Sequence, residues 1–371
     1  MSATAGLPPM DGAGRIARLR GRLAEADPGV DALLVTHLTN VRYLTGFTGS
    51  AATLLVTATE AHLVTDGRYE EQAAGELDAS GAPAQVHIGR TLAAQDDVLR
   101  ELVAEVRRIG LEADHVPWAE QRRLAELLDG VELVPTTGLV EALREVKDEG
   151  EVARILTAGA IADDALAAVL PLLETGVTEA AFALALDTAM RERGADDVSF
   201  ATIVAAGPNG SRPHHQPGPR PIERGDLVVI DFGALVDGYH SDMTRTVPVG
   251  GRGALDESRA RILDVVTQAQ AAGVAAVRAG TPIADVDKAC RDLIAEAGWA
   301  DAFVHGTGHG VGLDIHEPPG VSGTATATLA AGQVITVEPG VYLPGQGGAR
   351  VEDTVVVTEG GCTPLTRAPK L

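Results

Sequence analysis

The chain has 371 residues, with 30 Lys+Arg against 52 Asp+Glu and a formal net charge of −22. The acidic excess holds on both sides of Leu143, 12 basic against 21 acidic residues up to it and 18 against 31 beyond it, so neither half offers a basic platform for nucleic acid or an anionic membrane surface. With 45% hydrophobic and 22% charged residues, the composition is that of a folded globular protein long enough for two domains, which excludes a disordered chain.

The N-terminal stretch MSATAGLPPMDGAGRIARLRGRL has no apolar core of signal-peptide length, and its first dozen residues, small and rich in Pro and Gly, read as a mobile tail. No run reaches the roughly 18 uncharged apolar residues of a membrane span. Cys290 and Cys362 are too few for a disulfide framework or a thiolate zinc site, and they suit a reduced, cytoplasmic setting.

A helix is expected over 15–26, followed by strands at 32–36 (ALLVT), 52–57 (ATLLVT) and 61–65 (AHLVT), each a short apolar run bounded by turn residues. Helical patterns follow over 92–108 and 119–128. This half reads as a mixed α/β domain, and the expected domains are 1–143 and 144–371. The charged helical segment EALREVKDEGEVARI (141–155) contains the joint.

The second half contains an internal repeat. One copy runs GVTEAAFALALDTAMRERGADDVSF from Gly176, the other GTPIADVDKACRDLIAEAGWADAF from Gly280. Each begins with a helix cap (Thr178; Thr281-Pro282), continues as an amphipathic helix, and breaks at Gly194 or Gly298. A strand follows each copy later, DLVVID ending at Asp231 and QVITVE ending at Glu338. Asp242 lies eleven residues past Asp231, beyond an Asp237-Gly238 hairpin turn, and Glu352 fourteen past Glu338, beyond LPGQGGA. Each repeat thus supplies two acids on paired strands. Four carboxylates in apolar strands cannot stay ionised in a dry core uncompensated. Two divalent cations would supply +4 against −4. Asp226, Asp237 and Asp353 read instead as a turn residue, a hairpin-turn residue and an acid on the opposite strand face from Glu352.

The segment His305-Gly-Thr-Gly-His309-Gly-Val-Gly-Leu-Asp-Ile-His316 packs three imidazoles among four glycines, which allow close backbone approach or positive φ. Upstream, GPNGSRPHHQP places His214 and His215 on an irregular loop before the first acidic strand. Oxygen-rich donors with one imidazole suit Mn²⁺, Co²⁺ or Fe²⁺ better than a thiolate-type zinc site. The Gly-rich HGTGHGVG lacks the Lys-Ser/Thr of a phosphate-binding loop.

PHHQP, DLVVIDFGALVDGYHSDMTRTV, HGTGHGVGLDIHE, VITVEPGVY and GGARVEDTVVV together resemble, in order, the creatinase/prolidase branch of the methionine-aminopeptidase-like metallopeptidases. NVRYLTGFTGS and TDGRYEEQA are similar to that family's N-terminal domain. The resemblance implies an α+β protein with an N-terminal creatinase-like α/β domain and a C-terminal pseudo-twofold pita-bread domain.

It also implies a five-ligand site for two divalent ions, most simply Mn²⁺, with Co²⁺, Fe²⁺ or Zn²⁺ as alternatives. Asp231 would hold one ion through both oxygens, Asp242 and Glu352 would bridge, and His309 and Glu338 would bind the second. His214 and His316 would contact the substrate carbonyl or the tetrahedral intermediate, His305 would lie near the prolyl pocket, and Arg350 near the bridging glutamate. The tandem His214-His215 makes the choice of His214 an argument of motif register. The implied reaction is hydrolysis of the bond before proline by a hydroxide held between the metals, with Glu338 shuttling a proton. Proline-containing peptides are the expected partners and a homodimer the expected assembly. The alternatives are a metal-free, creatinase-like C–N hydrolase and a non-catalytic peptide-binding protein of the same fold.

Overall fold

The structure is a computed structural model that describes residues 3–26 and 29–371, and the chain divides into two units, Met10–Arg144 and Glu145–Leu371 together with residues 3–9. In the first unit, helix α1 (Gly12–Glu25) is capped by the Asp11 carboxylate and buries Ile16, Leu19 and Leu23 at helical spacing. Strands β1 (Ala32–Val35), β2 (Ala52–Thr57) and β3 (Ala61–Thr65) pair antiparallel in sequence. Helix α2 (Leu38–Thr45) follows β1 and stops at Gly46, which adopts φ 77°. The rest of the unit comprises α3 (Glu70–Ser80), β4 (Gln85–Ile88), α4 (Leu92–Leu102), β5 (Arg108–Glu112), α5 (Trp118–Leu127), β6 (Glu132–Thr136) and the short α6 (Glu141–Arg144).

One six-stranded sheet results, ordered β4-β3-β2-β1-β5-β6, with β1, β5 and β6 mutually parallel. The three strands read from sequence are all present. β4, β5 and β6 were not expected, and the helix expected over 92–108 ends at Leu102. Arg108 pairs instead in parallel with Glu132, and Ile109 with Ala32 and Leu133. Two flanking strands outbid the helical periodicity of that segment.

The charged segment at 141–155 is not one helix. It breaks at 145–148, and α7 (Glu149–Val169) restarts behind a capping box of Asp148 and Glu151. Lys147 is held in the break by a buried ion pair to Glu317. Residues 3–9 are not a free tail. Ala3 packs on the second unit's core and Pro8 O accepts from Arg154 Nη1 at 3.0 Å, while residues 1 and 2 lie outside the described residues. The helical stretch Glu149–Thr175 is long and apolar enough to cross a membrane. It nevertheless contributes Ala158, Ile161, Ala162, Ala165 and Leu166 to the core.

The repeat becomes two helix-on-sheet halves. In the first, α7 and α8 (Glu179–Glu192) pack on a sheet of β8 (Ile203–Ala206), β9 (Leu227–Phe232) and β12 (Met243–Pro248), ordered β12-β9-β8. The short β7 (Asp197–Val198), β10 (Ala234–Val236) and β11 (Tyr239–His240) form a side ribbon, where Asp237 (φ 48°) and Gly238 (φ 74°) make the expected hairpin turn. In the second half, α9 (Glu257–Ala276) and α10 (Ile283–Glu296) pack on a sheet ordered β14-β13-β15-β18-β19. Its strands are β13 (Gly308–Gly310), β14 (Glu317–Val321), β15 (Val334–Val337), β18 (Asp353–Thr358) and β19 (Gly361–Pro364), with β16 (Gly340–Leu343) and β17 (Gly347–Arg350) as a hairpin beside them.

The halves are joined where β12 meets residues 350–354. Glu352 N donates to Thr244 O at 3.1 Å, Thr354 Oγ1 to Asp242 O at 2.7 Å, and Thr246 Oγ1 to Arg350 O at 2.7 Å. Arg245, buried here, spans the seam to Glu352 O, Ala368 O and Asp353. Asp353 does face away from Glu352, and Asp226 is held in its turn by Arg220 at 2.7 Å.

Asp148→Ala should remove one half of the capping box and cost about 1 kcal/mol of stability, read from urea denaturation midpoints at unchanged m-value.

Candidate active site and metal centre

The five acids and imidazoles expected as ligands line one cavity of about 310 Å³ in the second unit. Asp231 sits inside β9 opposite Thr244, and Asp242 just precedes β12. Glu338 follows β15, and Glu352 precedes β18, next to the pair Val337–Asp353. His309 is the middle residue of β13. Its Nε2 lies 3.3 Å from Glu338 Oε1 and 3.5 Å from Asp242 Oδ2. Nδ1 is 3.0 Å from Gly310 O, and a carbonyl can only accept, so Nδ1 carries the proton. Nε2 is thereby left as the nitrogen facing the carboxylates.

The glycines act by close approach. A Cβ on Gly308 would stand 2.0 Å from Thr336 O, and one on Gly310 2.2 Å from Pro318 O, so only glycine lets β13 lie against its neighbours. Neither has positive φ.

The electrostatics fit a cation. Burial and the neighbouring Glu352, Asp231 and Glu338 push the Asp242 carboxyl well above its usual range, and Glu352 is pushed up by burial, Glu338 and Asp231. Burial also raises Asp231, against the pull of Arg350. Glu338 runs the other way: burial opposes it, but His309 and Arg350 hold it below its usual value. Two like charges 4 Å apart repel by about 4 kcal/mol at an effective dielectric near 20. Asp231 Oδ1 and Glu352 Oε1 are buried without a hydrogen-bond donor. Orphaned carboxylate oxygens aimed into a shared cavity, with an imidazole nitrogen beside them, form the donor set of a site for divalent cations. Asp242, His309 and Glu352 already bring ligand atoms within 4.8 Å of one another.

The remaining expected residues divide into two kinds. His214 and His316 line the cavity, and the ring of His316 packs edge-on to His309 at 4.3 Å between centroids. Burial, then His309, lowers the His316 pKa, which keeps it neutral near pH 7. His305 and Arg350 also line the cavity, but their polar atoms are engaged within the protein. His305 Nδ1 meets Gly306 O at 2.7 Å and its Nε2 meets Tyr342 Oη at 2.8 Å. Arg350 donates through Nε to Thr244 Oγ1, through Nη1 to Tyr342 Oη and through Nη2 to Asp231 Oδ2, at 3.0, 2.8 and 2.6 Å.

Several residues of this arrangement were not read from sequence. Tyr342, four residues past Glu338, links His305 to Arg350, and burial pushes its phenol up to about 12. Asp287 and Arg291, one turn apart on α10, hold the histidine loop from behind. Thr307 Oγ1 donates to Asp287 at 2.8 Å, and Arg291 binds Phe303 O and His305 O. Glu179, fully buried on α8, accepts from Ala206 N, Asn209 Nδ2, Gly218 N and His215 Nε2, the last at 2.9 Å. His215 is therefore turned away from the cavity as an anchor of the loop that carries His214. The i,i+4 acid–base pair Asp287/Arg291 was visible as a helix-face pattern, but its target was not.

Residues 153–359 match metallopeptidase family M24 and residues 15–146 the creatinase/prolidase N-terminal domain. The chain is 32% identical over 341 residues to a Xaa-Pro dipeptidase of Pyrococcus furiosus, covering 92% of this chain and 94% of that one. Its fold matches a Xaa-Pro dipeptidase from Bacillus anthracis with TM-score 0.91 at 37% identity, covering 96% and 98% of the two chains. An X-Pro aminopeptidase from Thermotoga maritima matches with TM-score 0.86 at 33% identity, covering 95% and 98%. The chain belongs to metallopeptidase family M24, with a creatinase-type N-terminal domain ahead of the pita-bread domain.

Asp242→Asn should keep the fold and lose bound divalent metal together with nearly all peptidase activity. Metal analysis that still finds two ions per chain, with normal turnover, would overturn the ligand set. His214→Ala should keep its metal and lower kcat by roughly 10²–10³. His215→Ala should instead lower stability by about 1–3 kcal/mol, through the buried Glu179 left short of a donor. Steady-state kinetics and denaturant melts on the two variants separate these outcomes.

Proposed function

We propose that this protein is a Xaa-Pro peptidase, a dinuclear-metal enzyme that hydrolyses the bond before proline in dipeptides and short peptides. The observation that carries the reading is the convergence of Asp231, Asp242, His309, Glu338 and Glu352 on one cavity in a member of family M24. The names of its relatives support the proline preference. Proline gives a tertiary amide with fixed φ and no N–H, which ordinary exopeptidases fit poorly.

In this reading the five residues hold two divalent ions, with Mn²⁺ favoured by the oxygen-rich donor set and Co²⁺, Fe²⁺ or Zn²⁺ also accommodated. Bound there, the ions would supply a water acidic enough to be a nucleophile near neutral pH and would polarise the scissile carbonyl. His214 and His316 donate to the carbonyl oxygen as negative charge builds on it. Glu338 carries a proton to the prolyl nitrogen as it leaves. Phe200, Ile203 and Ile315 give the cavity an apolar wall suited to the substrate's side chains. His305 and Arg350, tied together through Tyr342, contribute by holding the wall and by orienting Asp231.

Residues 1–143 are assigned to the creatinase-like domain and 144–371 to the catalytic domain. A homodimer in the cytoplasm is the proposed setting, in line with the family resemblance and the two free cysteines.

The state of Arg350 bears on substrate length. A strict dipeptidase needs a cation to capture the prolyl carboxylate. Arg350 already spends Nε, Nη1 and Nη2 on Thr244, Tyr342 and Asp231. Arg68, in the N-terminal motif, is paired with Asp66 at 2.7 Å. The protein should therefore cleave Ala-Pro and also remove the first residue of Ala-Pro-Ala. A kcat/KM preference above about a hundredfold for the dipeptide, about 2.7 kcal/mol, would make it a strict dipeptidase.

A further inference from the structure

A buried ion pair stands behind the histidine loop, outside the catalytic cavity. Lys147 Nζ lies 2.5 Å from Glu317 Oε1, the two side chains are 1% and 4% exposed, and neither residue lines the cavity. A pair buried this deeply gives up the hydration of both charges, and packed apolar side chains in its place often leave a fold as stable or more so. Stability alone does not account for it.

The pair lies at the rung that places two of the site imidazoles. β13 and β14 run antiparallel with Gly310 opposite Glu317. His309 precedes Gly310 and His316 precedes Glu317, so the imidazoles sit diagonally across that rung, with ring centroids 4.3 Å apart. Successive strand side chains point to opposite faces, which turns Glu317 away from the cavity that His316 lines. The ladder is irregular on the His309 side, where the register shifts between Gly308 and Gly310, so the rung needs a hold of its own. Among the described residues the His316 ring has no hydrogen-bond partner, and its place is set by the backbone that carries it and by the ring of His309.

Glu317 and Lys147 supply that hold from both ends. The Glu317 carboxylate presses on the loop between the strands, where a Cβ on Gly312 would stand 2.4 Å from its Oε1. Lys147 is fastened by its backbone, its N donating to Gly332 O at 2.9 Å while Val146 bridges Gln333, and Nζ also donates to Glu145 O at 3.3 Å. Gly332 and Gln333 lead into β15, the strand that Glu338 follows. The pair thus ties β14 to the start of β15, the two strands that flank β13.

We propose that Lys147 and Glu317 are positioning residues for His309 and His316, their ion pair locking the Gly310–Glu317 rung and with it the spacing of the two imidazoles. The role in turnover rests on the peptidase reading.

The test uses full-length protein in two states: Ala-Pro hydrolysis at saturating Mn²⁺, well below each unfolding midpoint, and the histidine ring resonances of the metal-free protein. Lys147→Met and Glu317→Gln should each lower kcat about tenfold or more with KM within about twofold, the mark of misplaced groups rather than lost substrate contacts. In the metal-free protein they should move the ring signals of His309 and His316 and leave those of His62 and His87, in the first unit, in place. Should a single variant fail to fold, the double variant Lys147→Met/Glu317→Gln removes both charges at similar volume, and its kcat should still be about tenfold low. Parent-like kcat in the folded variants with lowered unfolding midpoints, or unmoved ring signals of His309 and His316, would overturn the inference and leave the pair a purely structural one. A parent protein that does not cleave Ala-Pro would instead sink the peptidase reading, and the metal-free ring signals would still decide the positioning.

Discussion

Four carboxylates crowded into one buried cavity are the constraint on which the second unit depends. Asp231, Asp242, Glu338 and Glu352 repel one another, and among the described residues Arg350 and His309 face them while the Thr244 and Thr336 hydroxyls donate to Glu352 and Glu338. The strain shows in the raised carboxyls of Asp242 and Glu352 and in the orphaned oxygens of Asp231 and Glu352. Such a cluster is tolerated only where something else over-determines the fold, and where a function needs the charge.

The over-determination is visible around the cavity. Each half of the pita-bread domain has its own apolar core, and the seam between them is closed by backbone bonds and by Arg245, a fully buried cation that serves backbone carbonyls and Asp353. Anchors behind the loops do the rest. Glu179 holds the loop of His214 through His215, and Asp287 with Arg291 holds the loop of His305 and His309. Arg350 and Tyr342 join Asp231 to His305. The side chains that face the cavity are thus carried on segments whose other sides are fully bonded, which keeps a pre-organised polar site from collapsing.

Much of this site was legible because its residues come as short, ordered motifs. Apolar strands ending in acids, a hairpin turn at Asp237-Gly238, and glycines between histidines are all local signals. The repeat puts Asp231 and Glu338 in equivalent positions by sequence spacing alone. The first unit was less legible. β5 and β6 are short and carry charged or proline residues, and β4 is only partly buried. Their strand character comes from parallel pairing, a non-local contact that no window of sequence records. The break at 145–148 was hidden for the same reason, since Val146 and Lys147 are fixed by Gln333 and Glu317, far along the chain.

The sequence by itself determined the two-part organisation, the repeat, the residue types that meet at the cavity and the family to which they point. The first three follow from period, spacing and composition, which are properties of neighbours in the chain, and the last from the resemblance of its ordered motifs to those of known proteins. Tertiary structure alone decided which histidine of the tandem faces the cavity, because Glu179 lies 36 residues from His215. It also decided that Arg350 and His305 spend their polar atoms inside the protein, and that the glycines serve close approach rather than positive φ. Most distant of all from sequence reading is the pairing of Lys147 with Glu317. The two lie 170 residues apart and become neighbours only because the break before α7 bridges to the start of β15.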